Sequence, residues 1–473
     1  MGDPKGFMIV PRKDSGYRPK HERIFDYGEV EQTLNDPDRR LQASRCMACG
    51  TPFCHWGCPV GSTIPEWQDA LYRKEDREAY EILHSTNSFP EFTGRVCPAL
   101  CEKSCVLAIH SDAVTIRENE CSVVENAFEK GYVVPNPPRF RTGKKVAVIG
   151  SGPSGLSVAD LLNRDGHKVT VYEKNETIGG LLRLGIPDFK LSKTLIDRRL
   201  DIFKAEGIDF KTGVCVGKDI SKEELLSQYD AVVLAMGAGS PRDLKVEGRE
   251  LKGVHYALEL LQQQNRVNAG NKIPAKDRIC AEGKHVLIIG GGDTGSDCVG
   301  TSIRQKALSV TQIEIMPKPP EERQANNPWP YWPTVLRTSC AHLEGCTRRW
   351  SLSTKRLIEK DGAVTQAQVV KVEWNKDKNC RWMLSEIPGS EELIPAELIL
   401  ICMGFTQPVH KGLLDELGVE YDARGNVKVN EQKQTSVKKV FAAGDVEKGS
   451  SLVVRAIQEG RVAAASVSEF LKK

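Results

Sequence analysis

The sequence predicts an α/β chain in which a helical N-terminal domain precedes two interleaved βαβ domains. Three observations lead to this prediction. The length, 473 residues, favours about three domains. Eight of the 15 cysteines fall between Cys46 and Cys121, in a region with little strand patterning. Two later stretches, about 140 residues apart, each have the pattern of a strand, a glycine turn, a helix and a second strand.

The composition of the chain limits the cellular compartments and the classes of partner to be expected. Apolar residues make up 40% of the chain and charged residues 27%, with a formal net charge of +3, so the composition indicates neither a disordered chain nor a nucleic-acid-binding protein. No apolar run approaches the ~18 residues of a membrane span, so we expect a cytoplasmic protein without membrane or nucleic-acid partners. Cytoplasmic thiols stay reduced, so closely spaced cysteines indicate metal binding or catalysis rather than disulfides.

Residues 1–140 are expected to form a helical cysteine domain. In the segment IPEWQDALYRKEDREAYEILHSTN, the apolar residues Ile64, Trp67 and Leu71 recur at helical intervals. The proline-rich segment VVPNPPRF, which ends this region, is typical of a domain linker. A new domain should therefore start at residue 141.

That domain opens with a complete βαβ unit, KKVAVIGSGPSGLSVADLLNRDGHKVTVYEKN. Gly150, Gly152 and Gly155 fit G-x-G-x-x-G, whose glycines permit a tight turn, close approach of a pyrophosphate, and packing of helix on strand. The next strand ends in Glu173, followed by Lys174, and a carboxylate there accepts hydrogen bonds from ribose hydroxyls. Strand, helix and acid together predict a dinucleotide site, here for FAD, against the alternative of a glycine turn that only packs.

A second unit, KHVLIIGGGDTGSDCVGTSIRQKALSVTQIEIMPKP, repeats this pattern. The same loop geometry is expected, with the phosphates of a nucleotide at the N-terminus of the helix that follows. The predicted binding residues are Gly290, Gly292, Asp293, Thr294 and Gly295.

The second unit is expected to differ from the first after its second strand. Aligning KVTVYEK with VTQIEIMPK places Pro317 and Lys318 where Glu173 and Lys174 stand, so a base replaces the ribose-binding acid. Arg304, at the end of the intervening helix, adds a positive charge. Such a replacement lets the fold accept a 2'-phosphate, and we therefore expect NADP rather than NAD. The alternative is that Lys318 and Arg304 are solvated surface charges.

Two apolar strands that run into glycine turns connect the units. YDAVVLAMGAGSPR contains Gly237 and Gly239, and AELILICMGFTQP contains Gly404, which suits the crossings between a flavin domain and an inserted nicotinamide domain. The predicted boundaries are 141–239 and 404–473 for the FAD-binding domain and 240–403 for the NADPH-binding domain.

The last motif, KKVFAAGDVEKGSSLVVRAIQEG, combines a strand with a helix. Asp445, which follows Gly444, is expected to hold a ribitol hydroxyl of FAD. The helix that begins near Leu452 is expected to face the flavin pyrimidine, where its N-terminus stabilises negative charge on the reduced ring.

Together these motifs resemble a known family. The FAD loop, GGLLRLGIP, GGGDTGSD, EIMPKPPEER and AAGD are similar to the small (beta) subunit of bacterial NADPH-dependent glutamate synthase over nearly the whole chain. They are shared with a wider group of glutathione-reductase-like FAD/NADPH oxidoreductases that carry an N-terminal two-cluster iron-sulfur domain. The resemblance implies that Gly180 and Leu181, within GGLLRLGIP, also belong to the FAD site.

The cysteine spacing predicts iron-sulfur clusters. CMACGTPFCHWGCP and CPALCEKSC supply seven cysteines, and thiolates at such short spacings ligate four-iron clusters. Prolines follow Cys58 and Cys97, and in bacterial two-cluster proteins the cysteine before such a proline ligates the other cluster, so Cys58 is predicted to face away from its neighbours. The alternative is a closed zinc site, which has no electron to pass between the nucleotide sites and a partner.

The resemblance implies crossed ligation of two 4Fe-4S clusters. Cys46, Cys49, Cys54 and Cys105 would hold one cluster. Cys58, Cys97 and Cys101 would hold the other. In this group the eighth ligand is an oxygen donor on a downstream helix, which places Glu120 there, with the neighbouring Cys121 as the alternative.

The function implied by the resemblance is electron input. NADPH would reduce FAD, and the clusters would carry the electrons to the large (alpha) subunit of glutamate synthase, which forms glutamate from glutamine and 2-oxoglutarate. No catalytic side chain is required. Two other hypotheses are the large subunit of an electron-bifurcating ferredoxin:NADP oxidoreductase and a scaffold that keeps clusters for structure.

Overall fold

The structure, a computed structural model, describes residues 2–472. Its first part is helical as predicted, because short amphipathic segments there pack around a core that includes Trp67 and the buried cysteines. A 3₁₀ turn at Val106–Ile109 precedes the last helix. The helices are α1 (Gly6–Ile9), α2 (Lys20–Arg23), α3 (Asp36–Ser44), α4 (Phe53–Gly57), α5 (Ile64–Tyr72), α6 (Asp76–Thr86), α7 (Pro90–Val96), α8 (Leu100–Lys103) and α9 (Ile116–Glu129).

The first βαβ unit follows the linker. Its strands are short and apolar, as expected for a parallel sheet covered on both faces. The elements are β1 (Lys145–Ile149), α10 (Pro153–Arg164), β2 (Lys168–Glu173), α11 (Leu181–Leu184), α12 (Lys193–Ala205), β3 (Asp209–Thr212), α13 (Lys222–Gln228) and β4 (Ala231–Leu234).

The chain then enters a second nucleotide-type unit that carries an antiparallel insertion. A 3₁₀ turn, Ala275–Asp277, lies before the second glycine loop. The elements are β5 (Ser240–Pro241), β6 (Val254–Tyr256), α14 (Ala257–Asn268), β7 (His285–Ile289), α15 (Asp293–Arg304), β8 (Ser309–Glu314), α16 (Cys340–Gly345), β9 (Thr347–Trp350), β10 (Leu352–Lys360), β11 (Ala363–Lys376), β12 (Trp382–Glu386), β13 (Glu392–Pro395) and β14 (Leu398–Ile401).

The chain returns to the first sheet for its last elements. These are β15 (Phe405–Gln407), α17 (Leu413–Leu417), β16 (Val440–Ala442), α18 (Asp445–Lys448) and α19 (Val453–Leu471). The first sheet has the order β16-β4-β1-β2-β3 and the second β6-β14-β7-β8-β9, with parallel pairing throughout. Strands β10–β13 pair antiparallel. The predicted α/β architecture of two interleaved units behind a helical domain is confirmed.

The crossings between the two sheets lie at the predicted glycine turns. Strands β5 and β15 pair antiparallel with each other just after Gly239 and Gly404. The two connections therefore run side by side, as an inserted domain requires. The exact domain boundaries remain a prediction.

A segment near the N-terminus, residues 17–31, connects the helical domain to both nucleotide-type units. Arg23 donates from Nε to Glu344 at 2.8 Å, and the backbone N–H of Val30 donates to the carbonyl of Phe189 at 3.0 Å. Arg23 and Glu344 are both buried. Contacts over such sequence separations fix the nicotinamide-type unit against the cysteine domain. Among residues 2–472, no helix is long and apolar enough to cross a membrane.

Candidate functional site: two glycine loops and two cysteine sets

The first glycine loop has the geometry of a phosphate cradle. Gly150 adopts φ +107°, and a Cβ there would stand 2.5 Å from the carbonyl oxygen of Ala235. A Cβ on Gly155 would stand 2.0 Å from the carbonyl oxygen of Gly150, so helix α10 packs directly on the turn. Gly152, by contrast, faces open space at the N-terminus of α10. The loop therefore leaves room for a pyrophosphate beside unpaired backbone N–H groups.

Glu173 ends β2 and is buried under this loop. Its carboxylate accepts hydrogen bonds from the N–H and the hydroxyl of Ser151, at 3.2 and 2.5 Å, and from the N–H and side-chain amide of Asn175, at 2.9 and 2.7 Å. Lys174, the next residue, is exposed. The acid thus lies where the sequence placed it, directly below the loop that would hold FAD.

Two later segments close over the same loop. A Cβ on Gly180 would stand 2.8 Å from the Cα of Gly152, so the GGLL turn, with Leu181 beginning α11, lies on the pyrophosphate loop. Asp445 begins α18 and accepts a hydrogen bond from the hydroxyl of Ser451 at 2.6 Å, while burial raises its pKa. Leu452 is the N-cap of the 19-residue helix α19, as predicted. A Cβ on Gly444 would stand 2.8 Å from the Cβ of Ser154, so this segment also lies against the start of α10. The contacts of these residues with FAD remain predictions.

The second loop repeats the first. Gly290 has φ +122°, and a Cβ there would stand 2.4 Å from the carbonyl oxygen of Cys402, while Gly292 faces open space. Gly295 packs against the carbonyl of Gly290. Asp293 and Thr294 form the first turn of α15. This loop is therefore also shaped for a phosphate group.

The acid of the second unit lies three residues earlier than the sequence alignment placed it. Strand β8 ends at Glu314, and the N–H of Gly290 donates to the carbonyl of Ile313 at 2.8 Å, just as Gly150 donates to Tyr172. Glu314, not Pro317, is therefore the counterpart of Glu173. The predicted replacement of the acid by a base, with Lys318 in the place of Lys174, is wrong, because the strand ends before the MPK segment.

Arg304 is wrong as a ligand for a 2'-phosphate. Its guanidinium is fully buried and donates to Glu344 at 2.6 Å and to the carbonyl of Asp26 at 2.9 Å, and it stacks over the ring of Phe189 at 4.0 Å. It pins the N-terminal segment and does not face the second loop. Lys318 is exposed, 3.5 Å from Glu321.

The first cysteine set lines one cavity. Cys46, Cys49, Cys54 and Cys105 all border it, together with apolar side chains such as Ile64. Burial raises the pKa of Cys46 to about 11 and raises that of Cys54 further. Thiolates at such a site need a positive partner, which the irons of a cluster supply. The four cysteines that the resemblance implied as ligands thus border one cavity, and their role as ligands remains a prediction. Among residues 2–472, no three donors of the usual types converge closely enough for a single metal ion.

The second cysteine set lies apart from the first and surrounds a carboxylate. Cys58, Cys97 and Cys101 are electrostatic neighbours of one another and of Glu120. Burial raises the pKa of Cys58 to about 11, that of Cys97 to about 12, and that of Glu120 to about 7. Cys58 thus lies near Cys97 and Cys101, and its assignment to a cluster different from that of Cys54 remains a prediction.

Backbone turns shape both cysteine loops. Ala48, between Cys46 and Cys49, has φ +47°, and Ala99, between Cys97 and Cys101, has φ +61°. Left-handed backbone at residues other than glycine is uncommon and costs about 1 kcal/mol or more, so it persists where the surroundings require it. Here it curls each loop around its cysteines.

Glu120 fits the eighth ligand position better than Cys121 does. The carboxylate of Glu120 accepts hydrogen bonds from the amide of Asn87, at 3.0 Å, and from the hydroxyl of Thr93, which hold it on the side of the second cysteine set. The charged neighbours of Cys121 are instead Arg95, Glu125 and other residues outside both cysteine sets. The assignment of Glu120 remains a prediction.

Sequence reasoning missed one residue beside the first cysteine set. Trp329, from the long connection after β8, donates from its indole nitrogen to the carbonyl of Cys105 at 3.3 Å, and its ring lies 4.6 Å from that of Phe53. No local signal in NNPWPYWP pointed to a cysteine 224 residues away.

Relatives of known name match the full chain. The chain is 49% identical to the glutamate synthase [NADPH] small chain of Mycobacterium tuberculosis, covering 100% of this chain and 96% of that protein. It belongs to the glutamate synthase small-chain family. Its identity to the glutamate synthase [NADPH] small chain of Bacillus subtilis is 42%, over 100% and 99% of the two chains. The resemblance drawn from the motifs is confirmed.

The family extends into a longer fungal protein. The chain is 44% identical to the glutamate synthase [NADH] of Saccharomyces cerevisiae over 99% of its own length and 22% of the yeast protein. A region similar to this whole chain thus occurs both as a separate chain and as part of a longer protein.

Two family descriptions divide the chain as the motifs do. Residues 144–460 match the pyridine nucleotide-disulphide oxidoreductases, and residues 23–132 match dihydropyrimidine dehydrogenase domain II, 4Fe-4S cluster. The second match favours iron-sulfur over the zinc alternative. Among solved structures, FprA from Mycobacterium tuberculosis in complex with NADPH shares the fold with a TM-score of 0.55 at 18% identity, over 70% of this chain and 85% of that one.

Proposed function

We propose that this chain is the electron-input subunit of glutamate synthase. It would oxidise NADPH, hold FAD and two 4Fe-4S clusters, and deliver electrons to a separate large subunit that forms glutamate. The observation that carries the proposal is the presence of both glycine loops and both cysteine sets in one member of the small-chain family.

The residues present fit these cofactors. The first loop, Glu173, Gly180 and Asp445 would hold FAD, which accepts hydride from a nicotinamide coenzyme and releases single electrons to the clusters when bound. The second loop would hold the coenzyme. Cys46, Cys49, Cys54 and Cys105 would ligate one cluster, and Cys58, Cys97, Cys101 and Glu120 the other. The compartment we propose is the cytoplasm, where thiols stay reduced.

The alternative of an electron-bifurcating ferredoxin:NADP oxidoreductase is not favoured, since the relatives that match the whole chain carry the name glutamate synthase. A scaffold role is not favoured either, because both glycine loops keep their central glycine open for a ligand.

Reconstitution with a large subunit tests the proposal. Chain assembled without oxygen should hold one FAD and about eight irons, and should oxidise NADPH with ferricyanide while forming no glutamate alone. Adding a glutamate synthase large subunit should give glutamate from glutamine and 2-oxoglutarate. Iron near four per chain would contradict the second cluster, and failure to form glutamate with the large subunit would contradict the subunit assignment.

Cysteine variants separate the steps. Cys46→Ser and Cys58→Ser should each abolish glutamate formation with the large subunit while NADPH-to-ferricyanide transfer survives. Cys380→Ser is the matched control, because Cys380 is exposed and lies in the antiparallel insertion. Equal activity of all three variants with the large subunit would show that electrons bypass the cysteine sets.

A further inference from the structure

Glu314 holds the same position in the second unit that Glu173 holds in the first. Its carboxylate accepts hydrogen bonds from the N–H of Gly291 at 2.6 Å and from the N–H of Met316 at 3.0 Å. The corresponding donors to Glu173 are the N–H groups of Ser151 and Asn175. In each unit the donors are the second residue of the loop and the residue two positions after the acid. The equivalence therefore rests on hydrogen bonds as well as on strand register.

A carboxylate at this position discriminates between coenzymes. In dinucleotide folds it accepts hydrogen bonds from the ribose 2'-OH of NAD, whereas the 2'-phosphate of NADP would bring like charges together. Glu314 is half-buried, and Gly291, which lies against its side chain, has no side chain of its own to cover the carboxylate. A ribose at the second loop would therefore meet an accessible carboxylate side chain that can accept its hydroxyl hydrogen bonds. Arg304, one of the two cations that the sequence suggested, is committed to Glu344.

Positive charge is nevertheless present at the rim of the same site. Trp350 lies opposite Glu314 in the pairing of β8 with β9. Lys318 lies 5.9 Å from the centre of the Trp350 ring, and the guanidinium of Arg348 lies 5.0 Å from it. Lys318 is exposed and on a flexible stem, so it can reach a phosphate that enters beside the strand. An acid for the diol and a base for the phosphate thus flank one strand end.

We propose that the second loop accepts NADH as well as NADPH, with Glu314 selecting NADH and Lys318 supporting NADPH. The inference rests on the proposed function, in which this loop binds the reduced coenzyme. It adds that the chain discriminates weakly between the two coenzymes, because the two residues act in opposite directions.

Steady-state kinetics of the holoenzyme with ferricyanide test this directly. The kcat/KM for NADH should be at least about a tenth of that for NADPH. Glu314→Gln keeps an acceptor for Gly291 but loses the charge, and should lower kcat/KM for NADH about tenfold while raising that for NADPH. Lys318→Ala should lower kcat/KM for NADPH about tenfold and leave NADH unchanged.

Glu397→Gln is the matched control. Glu397 accepts a hydrogen bond from the N–H of His285 at 2.7 Å, at the opposite end of the same sheet. The variant Glu397→Gln therefore removes the same charge far from the loop. Its ratio of NADH to NADPH activity should match that of the unsubstituted chain.

Binding of ligands without a nicotinamide gives a readout free of turnover. By calorimetry, Glu314→Gln should weaken the binding of ADP-ribose and strengthen the binding of 2'-phospho-ADP-ribose. This measurement remains informative even if the substitution impairs electron transfer. A kcat/KM for NADH below about a tenth of that for NADPH, or equal effects of Glu314→Gln on both coenzymes and both ligands, would overturn the inference. Failure to form glutamate with the large subunit would count against the proposed function and leave the coenzyme ratio standing.

Discussion

The two glycine loops share a backbone conformation but differ in the hydrogen bonding and burial of the glutamate beside each loop. Glu173 receives four hydrogen bonds, two from Ser151 and two from Asn175, and is 5% exposed. Glu314 receives two, both from backbone N–H groups, and is half-buried. The first loop is also covered by the GGLL turn at Gly180.

This difference suits two kinds of ligand. A buried, fully bonded acid under a covered loop is suited to a cofactor that stays bound. An accessible acid on an open loop is suited to a coenzyme that must enter and leave at every turnover. Similar sequence motifs thus specify the backbone of the site, while a few side chains decide how open it is.

The variant with the largest expected effect tests whether Arg304 stabilises the fold through its buried ion pair or binds the coenzyme at the second loop. Glu344→Ala would leave the buried guanidinium groups of Arg304 and Arg23 without their carboxylate, at a cost of about 3–5 kcal/mol in the free energy of unfolding. Denaturant unfolding measures it, and the ratio of NADH to NADPH activity should not change.

The control for that variant is Glu420→Ala, which removes an exposed pair with Lys428 and should cost under about 1 kcal/mol. If Glu344→Ala left stability unchanged and altered coenzyme preference, Arg304 would belong to the coenzyme site after all.

The next effect separates the two loops by function. Gly150→Ala and Gly290→Ala each force a side chain into left-handed backbone, at about 1–3 kcal/mol, and into contact with a carbonyl oxygen. Gly150→Ala should purify with less FAD, measured by absorbance. Gly290→Ala should keep its FAD but lose reduction by the coenzyme.

Gly270→Ala controls for backbone strain alone, since Gly270 has φ +91° and open space around it. It should keep both FAD and coenzyme oxidation. Loss of FAD from Gly290→Ala would mean that the two loops are not independent sites.

The smallest effect concerns pH and the second loop alone. His342 lies 2.9 Å from the side-chain oxygen of Gln312, whose amide donates to the carbonyl of Gly290 at 2.8 Å. Burial, followed by the charges of Arg348 and Lys190, lowers the pKa of His342 to about 4. The folded pKa lies below the ordinary value near 6.5, so the unfolded chain takes up the proton first.

The contribution of neutral His342 to the free energy of unfolding is therefore present above pH 6.5 and lost as the pH falls toward about 4. The melting temperature should drop by roughly a few degrees over this window, and His342→Gln should show a smaller drop. Identical pH profiles for the two chains would place the acid sensitivity elsewhere.

Much of the architecture was accessible from the sequence, because glycine turns, apolar strands and cysteine spacing are local signals. The crossings at Gly239 and Gly404 and the helix after Leu452 were predicted in this way. The segregation of Cys58 from Cys54 was also predicted, because a proline follows Cys58.

The errors arose where local signals ended. The end of β8 depends on its pairing with β7 and β9. Aligning the two units on Lys174 and Lys318 therefore missed Glu314 as the counterpart of Glu173. The role of Arg304 depends on Asp26 and Phe189, which lie far away in sequence. The antiparallel insertion, strands β10–β13, was not predicted.

The contact between Arg23 and Glu344 spans 321 residues, and it has a consequence for synthesis. Arg23 is made early, yet its carboxylate partner leaves the ribosome only after roughly three-quarters of the chain has been translated. The N-terminal segment can pair with Arg95 and Arg117 of its own domain early, but its contact with the nicotinamide-type unit has to wait for Glu344. Trp329, whose indole donates to the carbonyl of Cys105, is also made late, so the first cysteine set lacks this contact until a similar stage of synthesis.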